Sequence, residues 1–127
     1  MNSKPKNDWW RLIDNPTTDQ SLPGIYEWRI ADRAIYIGKS KRLPKRIREY
    51  PNNVRKMLAG LPYRKGKQVA YRVVHHALKS AYDEQAVVTV TILQNCDLSE
   101  LNELERRWIA RRRRELEGTS MELLNAP

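Results

Sequence analysis

The sequence contains no phenylalanine and only one cysteine, Cys96. A single cysteine excludes an internal disulfide framework and a cysteine-based zinc cluster, and it is typical of a reducing cytoplasmic setting. Long apolar runs are also missing, since the longest covers residues 86–93 and a membrane-spanning helix needs about 20 residues. The first residues are polar and basic, so no secretory signal is expected. We therefore expect a cytoplasmic protein with no membrane partner.

Acidic residues are the minority among the charged side chains. Over 127 residues, 24 lysines and arginines stand against 15 aspartates and glutamates, which gives a net charge of +9. Such an excess favours a polyanionic partner, with nucleic acid ahead of an acidic membrane surface. A hydrophobic content of 40% is too high for a disordered basic tail, and the length is that of one domain. We place a polar N-terminal arm at residues 1–22 and the folded body at residues 23–127.

Two apolar stretches around a charged turn predict a β-hairpin. Residues 24–30 alternate, with Tyr26 and Trp28 on one face, and residues 34–38 form the return strand. A run of β-branched residues at 87–93 predicts a third strand. The expected fold class is therefore α+β, a small three-stranded antiparallel sheet flanked by helices.

Hydrophobic periodicity and helix-stop residues predict the helices of this fold. Four are expected, at residues 41–50, 52–61 and 68–82, and from a cap at Asp97 or Ser99 to about residue 117. Ser40 is a suitable cap for the first helix, and Pro51 is expected to end it because proline cannot donate a backbone hydrogen bond.

One carboxylate lies on the apolar side of the last helix. At about 100° per residue, Glu105 falls between Leu101 and Ile109, with Trp108 on the other side of Leu101. Glu103, two residues earlier, points to solvent. An ionised carboxylate on an apolar face is costly unless it pairs with a cation or holds a metal. Two interpretations stay open, a buried ion pair with an arginine and a metal site.

In the helix after the hairpin, a basic residue lies beside the apolar face. Arg46 lies at the edge of its apolar stripe, whereas Lys45 and Arg48 point away. Arg46 either forms an ion pair, with Glu105 as a candidate partner, or binds a phosphate in a site shared with that carboxylate. The chain around Lys39 leads into the N-terminus of this helix, where free N–H groups attract phosphate.

Two short motifs precede these charged residues. In chain order the sequence contains Gly-Ile-Tyr ending at Tyr26, Tyr-Ile-Gly beginning at Tyr36, and then Arg46, Glu105 and Asn125. This ordered set resembles the signature of the GIY-YIG nuclease superfamily, and residues 36–46 are similar to the nuclease half of bacterial excinuclease subunits. The resemblance covers about four-fifths of the chain and implies a GIY-YIG-like nuclease domain in the body.

That resemblance implies hydrolysis of a DNA phosphodiester bond with one Mg²⁺ or Mn²⁺ ion. The implied catalytic set is Tyr26, Tyr36, Lys39, Arg46, Glu105 and Asn125. Glu105 would hold the metal, and Arg46 would stabilise the charge of the phosphate. Tyr26 would position or deprotonate the attacking water, with Lys39 as the cation that favours its ionisation. Tyr36 would orient water or phosphate.

The remaining basic residues suit contacts with phosphates that carry no sequence information. The expected nucleic-acid-binding residues are Lys39, Arg42, Lys45, Arg48, Arg55, Lys65 and Lys67. No recognition module is evident, so specificity is expected from loops, from the arm, or from a protein partner or homodimer. Two alternatives to a nuclease remain, a non-catalytic nucleic-acid-binding module of the same fold and a basic RNA-associated protein.

The polar arm contains two adjacent indoles. Trp9 and Trp10 make up half of the tryptophan in the chain, and they lie in a segment expected to form a short helix or an extended arm. Large apolar rings in a charged segment need cover from water. We expect both rings to dock on the body, with base stacking and a dimer contact as the alternatives.

Overall fold

A mixed α+β arrangement, with one sheet and helices on both of its faces, forms the body of the chain. The structure, a computed structural model, describes residues 8–64 and 70–126, which contain five strands and three α-helices. The strands are β1 (Trp10–Ile13), β2 (Gly24–Ile30), β3 (Ala34–Ser40), β4 (Val88–Asn95) and β5 (Glu122–Leu123). They lie in the order β1-β4-β2-β3-β5, antiparallel in the central three and parallel in both outer pairs.

The predicted three-stranded antiparallel sheet corresponds to the central strands β4, β2 and β3. The sheet of the structure has two strands more than predicted. β1 lies in the arm and has only four residues, and β5 has only two, so neither is long enough to show a clear alternation. Both strands form because a neighbouring strand offers unpaired backbone groups. The local sequence of β1 or β5 does not indicate that such a neighbour is present.

The first two predicted helices are one continuous helix, α1 (Leu43–Leu58), with Pro51 inside it. The expectation that Pro51 ends the helix is wrong. The apolar stripe continues past the proline, and Ile47, Tyr50 and Val54 are all buried. Proline inside a helix costs about 3 kcal/mol, whereas each fully buried large apolar side chain contributes about 1.5–3 kcal/mol. Burial of the stripe therefore outweighs the lost hydrogen bond.

The other two helices begin later than predicted. α2 (Val73–Glu84) overlaps the predicted helix at 68–82, of which residues 68 and 69 lie outside the described residues. A single 3₁₀ turn (Leu98–Glu100) precedes α3 (Leu101–Leu116). Neither Asp97 nor Ser99 makes the expected capping bond, because the chain enters α3 through this turn. Past the end of α3, Gly118 adopts φ 75°, as expected of a residue that stops a helix.

The helices divide between the two faces of the sheet. α1 and α2 cover the face that carries Tyr26 and Trp28, and both of these rings are almost fully buried. α3 covers the opposite face, where Leu101 packs against Ile25 and Ile37. The alternation predicted for β2 is therefore confirmed, since neighbouring residues of the strand enter different layers.

A buried ion pair joins α3 to the centre of the sheet. Glu27 of β2 is only 5% exposed, and its Oε2 accepts from Nε of Arg112 at 2.6 Å. Arg112 also bonds Glu115 at 2.6 Å. The ion pair expected of Glu105 and Arg46 does not form between them, and the buried pair of the structure joins Glu27 and Arg112 instead.

The described part of the N-terminal arm is docked on the body. β1 pairs with β4, with Trp10 opposite Val88. The ring of Trp9 lies 5.5 Å from that of Tyr82, and the ring of Trp10 lies 5.6 Å from that of Trp28, each in an edge-to-face arrangement. The expected docking of the two indoles is confirmed.

Across residues 8–64 and 70–126, none of the helices combines the length and the apolar character needed to cross a bilayer.

Candidate functional site

A cleft of about 580 Å³ opens along the edge of β3, beyond the point where β5 ends. Its walls come from β3, the start of α2, α3 and the C-terminal segment, through Tyr36, Tyr71, Arg72, Val73, Val74, Glu105, Ile109, Leu124, Asn125 and Ala126. α2 and α3 lie on opposite faces of the sheet, so side chains from these two helices meet only around the edge of the sheet. The cleft brings together Tyr36, Glu105 and Asn125 from the predicted set.

Glu105 occupies the α3 wall of the cleft. Its side chain is 22% exposed, and its Oε1 lies 3.5 Å from Nζ of Lys39. Glu103 is exposed and pairs with Arg106 on the helix surface, as the helical angles predicted. The long distance to Lys39 makes this a weak pair, so the carboxylate oxygens of Glu105 remain open to a stronger cation.

Lys39 does not assist Tyr26. The lysine pairs in register with Ile25 and its side chain lies on the α3 face, where it also donates to Asn102 Oδ1 at 2.6 Å. Tyr26 lies on the opposite face, in the layer of α1 and α2. The expectation that Lys39 is the cation beside Tyr26 is therefore wrong, because strand alternation separates the two side chains.

Tyr26 is buried beneath α1. Its hydroxyl forms a hydrogen bond with the hydroxyl of Tyr50, and the residue is only 1% exposed. Burial raises the pKa of Tyr26, and the bond to Tyr50 and the charge of Arg46 oppose that rise. Gly38, directly across from Tyr26 in β3, leaves room for the phenol, since a Cβ at that position would overlap the ring.

Arg46 lies on the inner side of α1, beside the tyrosines. Its guanidinium carbon is 5.6 Å from the ring centroid of Tyr50, and Nη1 donates to Glu49 at 2.8 Å. Lys45 and Arg48 are exposed, as predicted from the helical angles. Arg46 does not pair with Glu105, because α1 and α3 lie on different faces of the sheet.

Tyr50 links the two parts of the predicted set. Its ring centroid lies 5.7 Å from that of Tyr26 and 6.2 Å from that of Tyr36. Burial raises the pKa of Tyr50 well above its usual range. Tyr50 belongs to the buried stripe of α1, and no local signal in the sequence distinguishes its hydroxyl from that of an ordinary core tyrosine.

Arg72 and His75 are further polar residues of this region that sequence reasoning did not assign to the site. Arg72 donates to the hydroxyl of Tyr36, and its guanidinium carbon lies 5.4 Å from the centroid of that ring. His75 is 2% exposed, and its Nδ1 accepts from the backbone N–H of Arg72 at 3.2 Å. Burial and the nearby arginines lower the pKa of His75 to about 4, so it is neutral at pH 7.

The predicted nucleic-acid-binding residues on α1 and at its N-cap are accessible. Arg42, Lys45, Arg48 and Arg55 are all exposed. A second cleft of about 310 Å³ on this side is lined by Arg46, Glu49, Asn52, Asn53, Lys56, Tyr63 and Arg64. Lys65 and Lys67 lie outside the described residues.

The donor set of the main cleft fits a divalent ion held by one carboxylate. No three or more histidine, cysteine, aspartate or glutamate side chains of the described residues form a metal-binding group. Glu105 would therefore hold Mg²⁺ or Mn²⁺ together with water and substrate oxygens. Mg²⁺ retains several waters and is bound in this way in many phosphoryl-transfer sites.

No family model, curated protein or solved structure matches this chain.

Proposed function

We propose that the chain is a metal-dependent DNA endonuclease with a GIY-YIG-like domain. The observation that carries this proposal is the meeting of Tyr36, Glu105 and Asn125 in one cleft, with the strongly basic surface of α1 on the same domain. These residues come from three separate parts of the sequence. A net charge of +9 supports a polyanionic substrate.

In this proposal Glu105 provides the carboxylate that binds the cation, and Tyr36 is the tyrosine that contacts water or phosphate in the cleft. Bound Mg²⁺ or Mn²⁺ supplies Lewis-acid stabilisation of the charge on the phosphoryl and leaving oxygens. Arg46 stabilises phosphate charge from the α1 side. Activation of water by Tyr26 requires its hydroxyl to leave Tyr50, and Arg46 is the cation that favours the ionised phenol.

One observation favours the alternative of a non-catalytic nucleic-acid-binding module. Tyr26 is buried and already bonded, and burial raises its pKa, so the hydroxyl is a poor base in this conformation. A binding module of this fold would keep the exposed basic residues of α1 and would not need a free tyrosine.

Incubation of supercoiled plasmid with the purified protein separates the two functions. We expect nicked or linear products with Mg²⁺ or Mn²⁺ and none with EDTA. A gel-shift assay in EDTA, on the same protein and the same DNA, measures binding without chemistry. Binding without cleavage under any of these metals would support the non-catalytic module and reject the nuclease.

A further inference from the structure

Arg72 differs from Arg46 and Arg112, two other partly buried arginines, in its partners. Arg46 pairs with Glu49 at 2.8 Å, and Arg112 pairs with Glu27 at 2.6 Å. Within the part of the chain that the structure describes, Arg72 forms no salt bridge with a carboxylate. A partly buried guanidinium without an acidic neighbour is a strong site for an external anion.

The contacts of Arg72 fix the direction of its donors. Its side chain bonds the hydroxyl of Tyr36 and lies over that ring, and its backbone N–H is held by His75. Guanidinium has five N–H donors and no acceptor, so the Tyr36 oxygen accepts and its proton is free to donate into the cleft. The remaining guanidinium donors of Arg72 are available to a ligand in the cleft that it lines.

Arg72 and Glu105 line the same cleft with opposite charges and do not pair with each other. Among the described residues, the cation that pairs with the Glu105 carboxylate is Lys39, at 3.5 Å. The Glu105 carboxylate on one wall can hold a cation, and the Arg72 guanidinium on the other wall can bind an anion. Together they meet the two requirements of a metal-bound phosphate.

We propose that Arg72 is the phosphate-binding residue of the cleft and contacts a non-bridging oxygen of the phosphodiester, that Tyr36 holds its side chain while contacting the same phosphate, and that His75 is its positioning residue. This inference rests on the proposed nuclease function, to which it adds, besides Arg46 on the α1 side, a residue of the cleft that binds the substrate phosphate. It also predicts that phosphodiester binding occurs without metal and without catalysis.

Arg72→Ala, Arg72→Lys and the control Arg11→Ala test the proposal. Arg11 is an exposed arginine on β1, at the opposite edge of the sheet from the cleft. Arg11→Ala therefore removes the same charge as Arg72→Ala but leaves the cleft unchanged. Two measurements are made on the full chain, single-turnover plasmid cleavage with Mg²⁺ and NMR titration with a thymidine dinucleotide in EDTA. Thermal melting checks that each variant is folded.

We expect Arg72→Ala to slow cleavage by about 100-fold and to weaken dinucleotide binding by about tenfold or more. Arg11→Ala should change both by less than about twofold. Arg72→Lys keeps the charge but lacks the planar fork of the guanidinium. Its cleavage rate and dinucleotide affinity should therefore lie between those of Arg72→Ala and Arg11→Ala. Added guanidinium chloride, compared with sodium chloride of equal concentration, should restore part of the cleavage by Arg72→Ala.

The outcomes separate this proposal from the nuclease itself. If the wild-type protein does not cleave but Arg72 still controls dinucleotide binding, the nuclease is rejected and the phosphate site is supported. If the wild-type protein cleaves and Arg72→Ala behaves like Arg11→Ala, the phosphate site is rejected. Lost cleavage with unchanged dinucleotide binding would make Arg72 a structural residue and also overturn the proposal. If Arg72→Ala does not fold, Arg72→Lys decides, and wild-type behaviour in both assays rejects the site.

Discussion

Asn125 bonds both backbone groups of Ile37. The N–H of Ile37 donates to Asn125 Oδ1 at 2.9 Å, and Asn125 Nδ2 donates to the carbonyl of Ile37 at 2.8 Å. One side chain thus takes the place of a neighbouring strand where β5 has ended, and it satisfies backbone groups that would otherwise lack partners. The predicted catalytic asparagine therefore shapes the cleft by holding the edge of β3.

We predict that Asn125→Ala destabilises the fold by about 2 kcal/mol, since each lost hydrogen bond contributes about 1 kcal/mol. Urea unfolding followed by circular dichroism measures the change. Asn52→Ala is the matched control, because Asn52 is exposed and its side chain makes a single bond to the described residues, accepting from Arg55. Wild-type stability in Asn125→Ala together with lost cleavage would show that Asn125 acts in the chemistry instead.

The second prediction contrasts two glutamates on α3. Glu105→Gln should slow metal-dependent cleavage by about 100-fold or more and leave the melting temperature close to the wild-type value, because its pair with Lys39 is long and partly exposed. Glu103→Gln removes a carboxylate of the exposed surface that pairs with Arg106, and its cleavage should be unchanged. Equal cleavage rates for the two variants would reject Glu105 as the metal-binding residue.

The third prediction separates chemistry from binding on α1. Arg46→Ala should lower the single-turnover rate at saturating protein by about 100-fold, because the guanidinium lies beside the tyrosine cluster. Lys45→Ala removes an exposed charge and should only weaken DNA binding, with a salt-dependence slope reduced by about one. If each substitution changed rate and binding alike, the distinction between the two sides of the helix would fail.

The central fold could be predicted because its signals are local. Alternation in β2 and the apolar stripes of α1 and α3 each depend on residues a few positions apart. The continuation of α1 through Pro51 could not be predicted, because it depends on Val54 and its neighbours packing against the sheet. β5 depends in the same way on backbone groups of β3, which are far away in the sequence.

The candidate site could be predicted in part. The motifs identified Tyr36, Glu105 and Asn125, and the structure brings them to one cleft. Arg72 was missed because its sequence neighbourhood resembles that of any solvated arginine, and its role depends on a ring supplied by β3. The expectation that Lys39 lies beside Tyr26 is wrong because Lys39 follows Gly38, the partner of Tyr26 in β3, and neighbouring residues of a strand face opposite ways.

The fourth prediction is a loss of stability as the pH falls. The folded-state pKa of His75 is about 4, below the ordinary 6.5, so the unfolded chain binds the proton first on acidification. The contribution of His75 to the free energy of unfolding is complete above about pH 6.5 and is lost as the pH falls towards 4. The loss is about 3 kcal/mol at most. Urea unfolding at pH 7 and pH 4.5 measures the slope.

His75→Gln should flatten that slope, since the titrating group is removed. His76→Gln should keep it, because His76 is exposed and adjacent in sequence, and carboxylates contribute equally to both variants. The same slope in His75→Gln and the wild-type protein would show that His75 is not the group responsible.

The last prediction concerns the docked arm. Trp10 packs edge-to-face on Trp28 in the core, so Trp10→Ala should destabilise the protein by about 2 kcal/mol or more, whereas Arg11→Ala on the same strand should have little effect. For a chain of this length, a melting temperature lower by roughly 6–10 °C is expected without DNA. If Trp10 instead stacked on bases, the melting temperature would stay unchanged and single-stranded DNA binding would weaken by about 1–3 kcal/mol. That second outcome would contradict the docking of the arm, because a ring engaged with the core is not available to a base.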